Sequence, residues 1–127
     1  ASWQYAKESS RCTTLEKDGV RIRTPEHLLA AFAGLGIDNV ICELTGEEVP
    51  MADGSAQVWT ELIEQAGIRE LSQSRKLRHL LAPVWISQGD KLLVALPAEE
   101  LSLAYIFTNP HPSIGTQFAE FQSLCRL

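Results

Sequence analysis

The sequence predicts an α+β fold: a two-layer α/β sandwich with a mixed β-sheet, in the order β-β-β-α-β-α followed by a β meander. Three observations predict it. Asp18-Gly19 sits between two short alternating runs, RCTTL and VRIR. An Asp-Gly pair in that setting marks a hairpin, because Gly tolerates positive φ. Two stretches, TPEHLLAAFAGLG and SAQVWTELIEQAG, carry apolar residues at helical spacing and end on glycine. From about Lys76 the apolar period changes from helical to two-residue alternation.

Taken in order, Trp3, Tyr5 and Lys7 alternate with smaller or polar residues and predict a half-buried first strand. The Asp-Gly hairpin follows. In the first helix Thr24 is placed to cap, Pro25 suits the first helical position and Glu26 favours the positive end of the dipole. Leu28, Phe32 and Leu35 make one apolar stripe, and Gly34 and Gly36 end it. IDNVICELTG then predicts a strand with Val40, Cys42 and Leu44 on one face and Ile41 and Glu43 on the other. EEVPMADGS is a loop. Ser55 caps the second helix, whose apolar face is Val58, Trp59, Leu62, Ile63 and Ala66, with Gly67 closing it. LLAPVWIS, KLLVALP and LSLAYIFT predict the meander, NPHPSIG is rich in turn residues, and FAEFQSLCRL takes no clear assignment. RELSQSRK is polar and breaks both periods, which puts a boundary near residues 69–75. The division expected is 1–70, most of a first sandwich domain, and 71–127, its end and the opening strands of a second.

Composition narrows the function classes. The 127 residues are 45% hydrophobic and 21% charged, enough for a core and unlike a disordered tail. Eight glycines and six prolines exclude a collagen-like chain. No apolar run approaches the roughly 20 residues of a membrane span, and the first residues show no basic and apolar leader pattern. Eleven basic against sixteen acidic residues give a net charge of −5. The densest basic cluster, Arg75, Lys76 and Arg78, is too short for a phosphate-binding surface, so nucleic acid is not expected as a partner. Cys12, Cys42 and Cys125 form no CxxC pair, which points to a reducing, cytoplasmic location. Cys42, in VICEL, is expected to be a core thiol.

The sharpest chemical candidate is Glu26-His27 at the start of the first helix. The positive end of the helix dipole there favours a neutral ring, which is what a metal ligand must be. A neighbouring carboxylate can deprotonate a metal-bound water. As a bare pattern the pair is weak. The HExxH spacing is absent, and on composition alone a capped helix with a solvent-facing Glu and a half-buried His accounts for it better. A catalytic zinc takes three protein ligands and an open position. His79 lies among packing residues in KLRHLLAPVW and His111 sits between two prolines, so neither is expected as a ligand. Asp53-Gly54-Ser55 is a turn with an N-cap, or else Asp53 supports a nearby site as an acceptor behind the ligands. GxGxxG, the phosphate-binding P-loop and GxSxG are absent.

TPEHLLAAFAGLGIDNV, EVPMADGSA, QAGI, GDK and a closing HPSIG, preceded by RCTTL, together resemble the zinc-dependent UDP-3-O-acyl-N-acetylglucosamine deacetylases of lipid A biosynthesis. The resemblance covers nearly the whole chain, in order. It implies a Zn2+-dependent hydrolase that removes the acetyl group from the 2-acetamido nitrogen of its UDP-linked, 3-O-acylated glucosamine substrate. It implies Glu26 as general acid/base, His27 as one zinc ligand, and Arg11, Cys12 and Thr13 as lining of the substrate passage. The family's other ligands, a His and an Asp in H-x-x-x-D, and a later catalytic His are not matched here. The resemblance therefore implies the central part of a longer enzyme, lacking the N-terminal hairpin and most of the second domain. Such a chain is expected to be inactive alone and, with exposed sheet edges, to self-associate. The alternatives are a non-catalytic sugar-nucleotide or acyl-binding protein, or a domain completed by a partner chain. Glu26 and His27 side by side favour the enzyme.

Overall fold

Local hydrogen bonding decides how the chain begins. The Ser2 hydroxyl accepts from Gln4 N at 3.3 Å, and Tyr5 N donates to Ser2 O at 3.1 Å. These bonds wind Trp3–Tyr5 into a 3-10 turn, and only Ala6–Lys7 (β1) continues as strand. The alternation of Trp3, Tyr5 and Lys7 thus does not extend into the strand it suggests, and Trp3 is 83% exposed. The structure is a computed structural model that describes residues 1–76 and 78–122. Cys125 and the last five residues of FAEFQSLCRL lie outside the described residues.

The fold is α+β. The chain divides into two compact units, Ala1–Ser74 and Arg75–Leu127. In the first, β2 (Thr14–Lys17) and β3 (Val20–Arg23) pair antiparallel through the Asp18-Gly19 turn, and β1 adds to β2. Both turn residues have positive φ, 51° and 80°, as a two-residue hairpin turn of this hand requires.

Helix α1 (Glu26–Gly34) ends in a Schellman arrangement. Ile37 N donates to Phe32 O at 2.8 Å, Gly36 N donates to Ala33 O at 3.2 Å, and Gly36 is left-handed at φ 68°. Helix α2 (Gln57–Ala66) stops at Gly67, φ 85°. The two helices pack on each other. Leu28 and Phe32 of α1, and Trp59, Leu62, Ile63 and Ala66 of α2, share an apolar groove with Val40, Cys42, Leu44 and Val49.

The strand expected over 37–46 is absent. Its alternation holds in part: Val40, Cys42 and Leu44 line the groove and Ile41 is 90% exposed, but Glu43, expected beside Ile41, lines the same groove. A strand also needs a partner ladder. Residues 37–46 join no ladder, and among the described residues parallel pairing is limited to one isolated bridge, Arg23 with Glu48. That bridge is the extent of the mixed sheet. The named strands all pair antiparallel. Cys42 is exposed and not a core thiol, because the groove it lines is open.

The second unit holds two hairpins. β4 (Val84–Gln88) pairs with β5 (Lys91–Ala95) across Gly89-Asp90, and β6 (Ser102–Thr108) pairs with β7 (Thr116–Gln122). The expected meander is therefore broken between β5 and β6 into two separate ribbons. β7 occupies part of the tail that alternation left unassigned. Among the described residues no helix is long and apolar enough to cross a membrane.

The two glycines that end α1 make a test. Gly36→Ala forces a Cβ into the left-handed region and is expected to destabilise by about 1 kcal/mol. Gly34 has negative φ and no atom within 4 Å of an added Cβ. Gly34→Ala is therefore expected to stabilise by up to about 1 kcal/mol. Urea unfolding followed by circular dichroism reads both. Equal shifts in one direction would show that the Schellman geometry does not end this helix.

Candidate active site at the start of α1

The site is built where β3 hands over to α1. Arg23 N donates to Glu47 O at 2.7 Å and Val49 N donates to Arg23 O at 3.0 Å, which lays residues 47–49 beside the end of β3. Thr24 then turns the chain with φ 57°. A β-branched residue in that region costs about 1–3 kcal/mol unless its surroundings impose it. Here Thr24 is 5% exposed, its N–H donates to Thr13 O at 2.9 Å, and its hydroxyl donates to Glu48 Oε1 at 2.7 Å. Its hydroxyl therefore serves Glu48 and does not cap α1, contrary to its sequence position. The first turn has no side-chain cap.

Glu26 and His27 open the helix, and both are half-buried. Glu26 is anchored by Thr13, whose N–H donates to Glu26 Oε2 at 3.2 Å. The Arg11–Thr13 segment is thus brought to the carboxylate. Arg11 is left-handed at φ 64° and exposed. Cys12 is half-buried. Burial pushes its thiol up, but hydrogen bonds with Ser9, Thr14 and Arg23, and the Arg23 charge, outweigh that and hold it below the usual thiol range. Its Sγ lies 3.9 Å from Ser9 Oγ and 3.9 Å from Thr14 Oγ1, and Ser9 Oγ also donates to the Cys12 carbonyl.

Asp53 is a turn residue that also senses the site. Its Oδ1 accepts from Ser55 N at 2.9 Å and from Ser55 Oγ at 2.8 Å. Ser55 Oγ in turn accepts from Gln57 N at 3.1 Å, which satisfies an amide at the start of α2. The Ser55 backbone and hydroxyl bonds hold the Asp53 carboxyl below the usual carboxylate range, and His27 adds a smaller pull in the same direction.

The other histidines sit in the second unit. His79 is exposed outside any regular element. His111 Nδ1 accepts from Ser113 N at 3.2 Å within the β6–β7 turn. Among the described residues no group of three or more His, Cys, Asp or Glu side chains could hold a metal ion. The imidazole of His27 is a fitting donor for one position of a zinc site, and the described residues do not supply the full set. Sequence reasoning gave no role to Glu48, the first residue of EVPMADGSA, and gave Thr24 a different one.

A lowered carboxyl stabilises the fold above the usual carboxylate range. That contribution is lost as pH falls through the range and through the folded-state value. Asp53→Ala is therefore expected to lower the thermal midpoint at pH 7 and to converge with the parent protein in acid. A gap that stays constant from pH 7 to strongly acid solution would show that the ionised carboxylate is not its origin.

Comparison with known proteins shows the family of the chain. Residues 1–126 match the LpxC family, described as UDP-3-O-acyl N-acetylglycosamine deacetylase. Three curated relatives carry the name UDP-3-O-acyl-N-acetylglucosamine deacetylase. The chain is 44% identical to that of Thermosynechococcus vestitus over 93% of its own length and 41% of the relative's. It is 43% identical to that of Chlamydia trachomatis serovar L2 over 87% and 39%, and 42% identical to that of Myxococcus xanthus over 90% and 36%. The chain spans about two fifths of the length of the curated relatives it matches. With this match over residues 1–126, the chain belongs to the UDP-3-O-acyl N-acetylglycosamine deacetylase family.

Proposed function

We propose that this chain carries the Glu-His part of a zinc-dependent amidohydrolase that removes the N-acetyl group of UDP-3-O-acyl-N-acetylglucosamine, a step of lipid A synthesis in the cytoplasm. The observation that supports this reading is Glu26 beside His27 at the head of α1, with one Glu26 oxygen tied to the Thr13 amide, in a chain of this family. His27 provides one metal ligand, and the others come from the length of the relatives that this chain does not span. Zinc, when bound, supplies a Lewis acid at the amide carbonyl and a more acidic water.

The chain's own residues then divide the work. Thr13 holds Glu26 Oε2. That leaves Glu26 Oε1 to accept a proton from the attacking water and to return it to the departing nitrogen. The water oxygen bonds to the acyl carbon, the carbon–nitrogen bond breaks, and acetate and a free amine leave. Arg11, Cys12 and Thr13 border the passage to this point. Asp53, held in its turn by Ser55, keeps a negative charge near His27.

In a polypeptide that carries this sequence together with the remaining length of its relatives, Glu26→Gln is expected to lower kcat by roughly 10²–10⁴-fold with zinc content unchanged. His27→Ala is expected to lose zinc as well as activity, and the 127-residue chain alone is expected to turn over no substrate. Release of acetate from the UDP-sugar, with metal analysis, reads all three. A fully active Glu26→Gln protein would remove Glu26 from the mechanism.

A further inference from the structure

We infer that Glu48 is a positioning residue for the Glu26-His27 pair, acting through the hydroxyl of Thr24. This rests on the amidohydrolase reading and adds to it a residue outside the motif. Thr24 is the single residue between the end of β3 and Pro25, and it stands two residues before Glu26. It holds a left-handed backbone, φ 57°, that a β-branched residue keeps only when neighbours enforce it.

The neighbours are specific. Residues 47–49 bracket Arg23 through Arg23 N to Glu47 O, 2.7 Å, and Val49 N to Arg23 O, 3.0 Å. Thr13 O takes the Thr24 N–H at 2.9 Å. The fourth bond, Thr24 Oγ1 to Glu48 Oε1 at 2.7 Å, joins two side chains and is charge-assisted.

Thr13 links this junction to the chemistry. Its carbonyl fixes Thr24, and its own N–H holds Glu26 Oε2 at 3.2 Å. A swing of Thr24 toward an ordinary backbone basin would redirect the first turn of α1 and draw Glu26 off Thr13. A threonine serving only as a helix cap would offer its oxygen to a helix amide. This one donates its proton to Glu48 while lying buried.

The test uses that longer polypeptide, zinc-loaded, with UDP-3-O-acyl-N-acetylglucosamine as substrate. Thr24→Val and Glu48→Ala are each expected to lower kcat about tenfold with KM within about twofold, the pattern of a displaced acid/base. Thr24→Ser and Glu48→Gln, which keep a donor and an acceptor, are expected to stay within about threefold of the parent. The double variant Thr24→Val with Glu48→Ala is expected to be no slower than the slower single one.

Losses that multiply in the double variant overturn the inference, because the two side chains then act separately. A lower thermal midpoint with unchanged kcat also overturns it, since the bond is then structural only. Should Thr24→Val fail to fold, Glu48→Ala decides, because Glu48 is on the surface. An active parent with a disabled Glu26→Gln and an unaffected Glu48→Ala overturns this inference alone. A parent that releases no acetate overturns the functional reading and this inference with it.

Discussion

Between Arg23 and Pro25 the backbone takes one left-handed step at Thr24, φ 57°, and the first unit is organised around that step. It ends β3, aims α1, and leaves Arg23 as the point where residues 47–49 pair with the sheet. A β-branched residue does not rest in this conformation by preference. Backbone bonds from Thr13 and a carboxylate bond from Glu48 hold it there. Strain of this kind persists where the surroundings over-determine it, and such places cluster at sites of function. Here the strained residue lies two residues before Glu26, with Pro25 between them.

The energetic character of the chain follows from how few side chains reach full burial. Ala31 and Val49 are the buried apolar residues described, and both sit near the helix pair. In the second unit both ribbons keep apolar side chains in the open, Trp85 at 72% and Ile106 at 68% exposure. A two-stranded ribbon has two faces and no layer of its own to cover either, so alternation along its strands does not by itself bury anything. The first unit is better placed. Two amphipathic helices and an extended segment converge on one groove, and their apolar stripes meet there.

Much of the candidate site was legible before any coordinates. Glu26 and His27 stand at the head of a helix because Pro25, Glu26 and the following apolar stripe specify one. Asp53 and Ser55 were legible as a turn and form a chain of bonds to Gln57 N, but the N-cap of α2 is Ala56, one residue after the Ser55 that the sequence suggests. Thr13 was readable only through family resemblance, since its contribution is a backbone N–H that any residue but proline would supply. Glu48 opens the EVPMADGSA stretch that carries the resemblance, but its bond to Thr24 was not legible. Its partner is 24 residues away in sequence, and no local period relates the two.

Periodicity and punctuation in the sequence determined the elements whose causes are local. The Asp18-Gly19 hairpin, the two helices with their glycine stops, and the β4–β5 turn need only neighbouring residues to form. Alternation separated Ile41 from Val40, Cys42 and Leu44, but not Glu43, which lines the groove with them. What pairs with what was decided by the tertiary structure. Residues 37–46 form no ladder, among the described residues the parallel pairing is one bridge, and the meander is two hairpins. The reason is physical. A side chain's face depends on its own backbone, whereas a strand exists only when a second backbone lies within hydrogen-bonding reach.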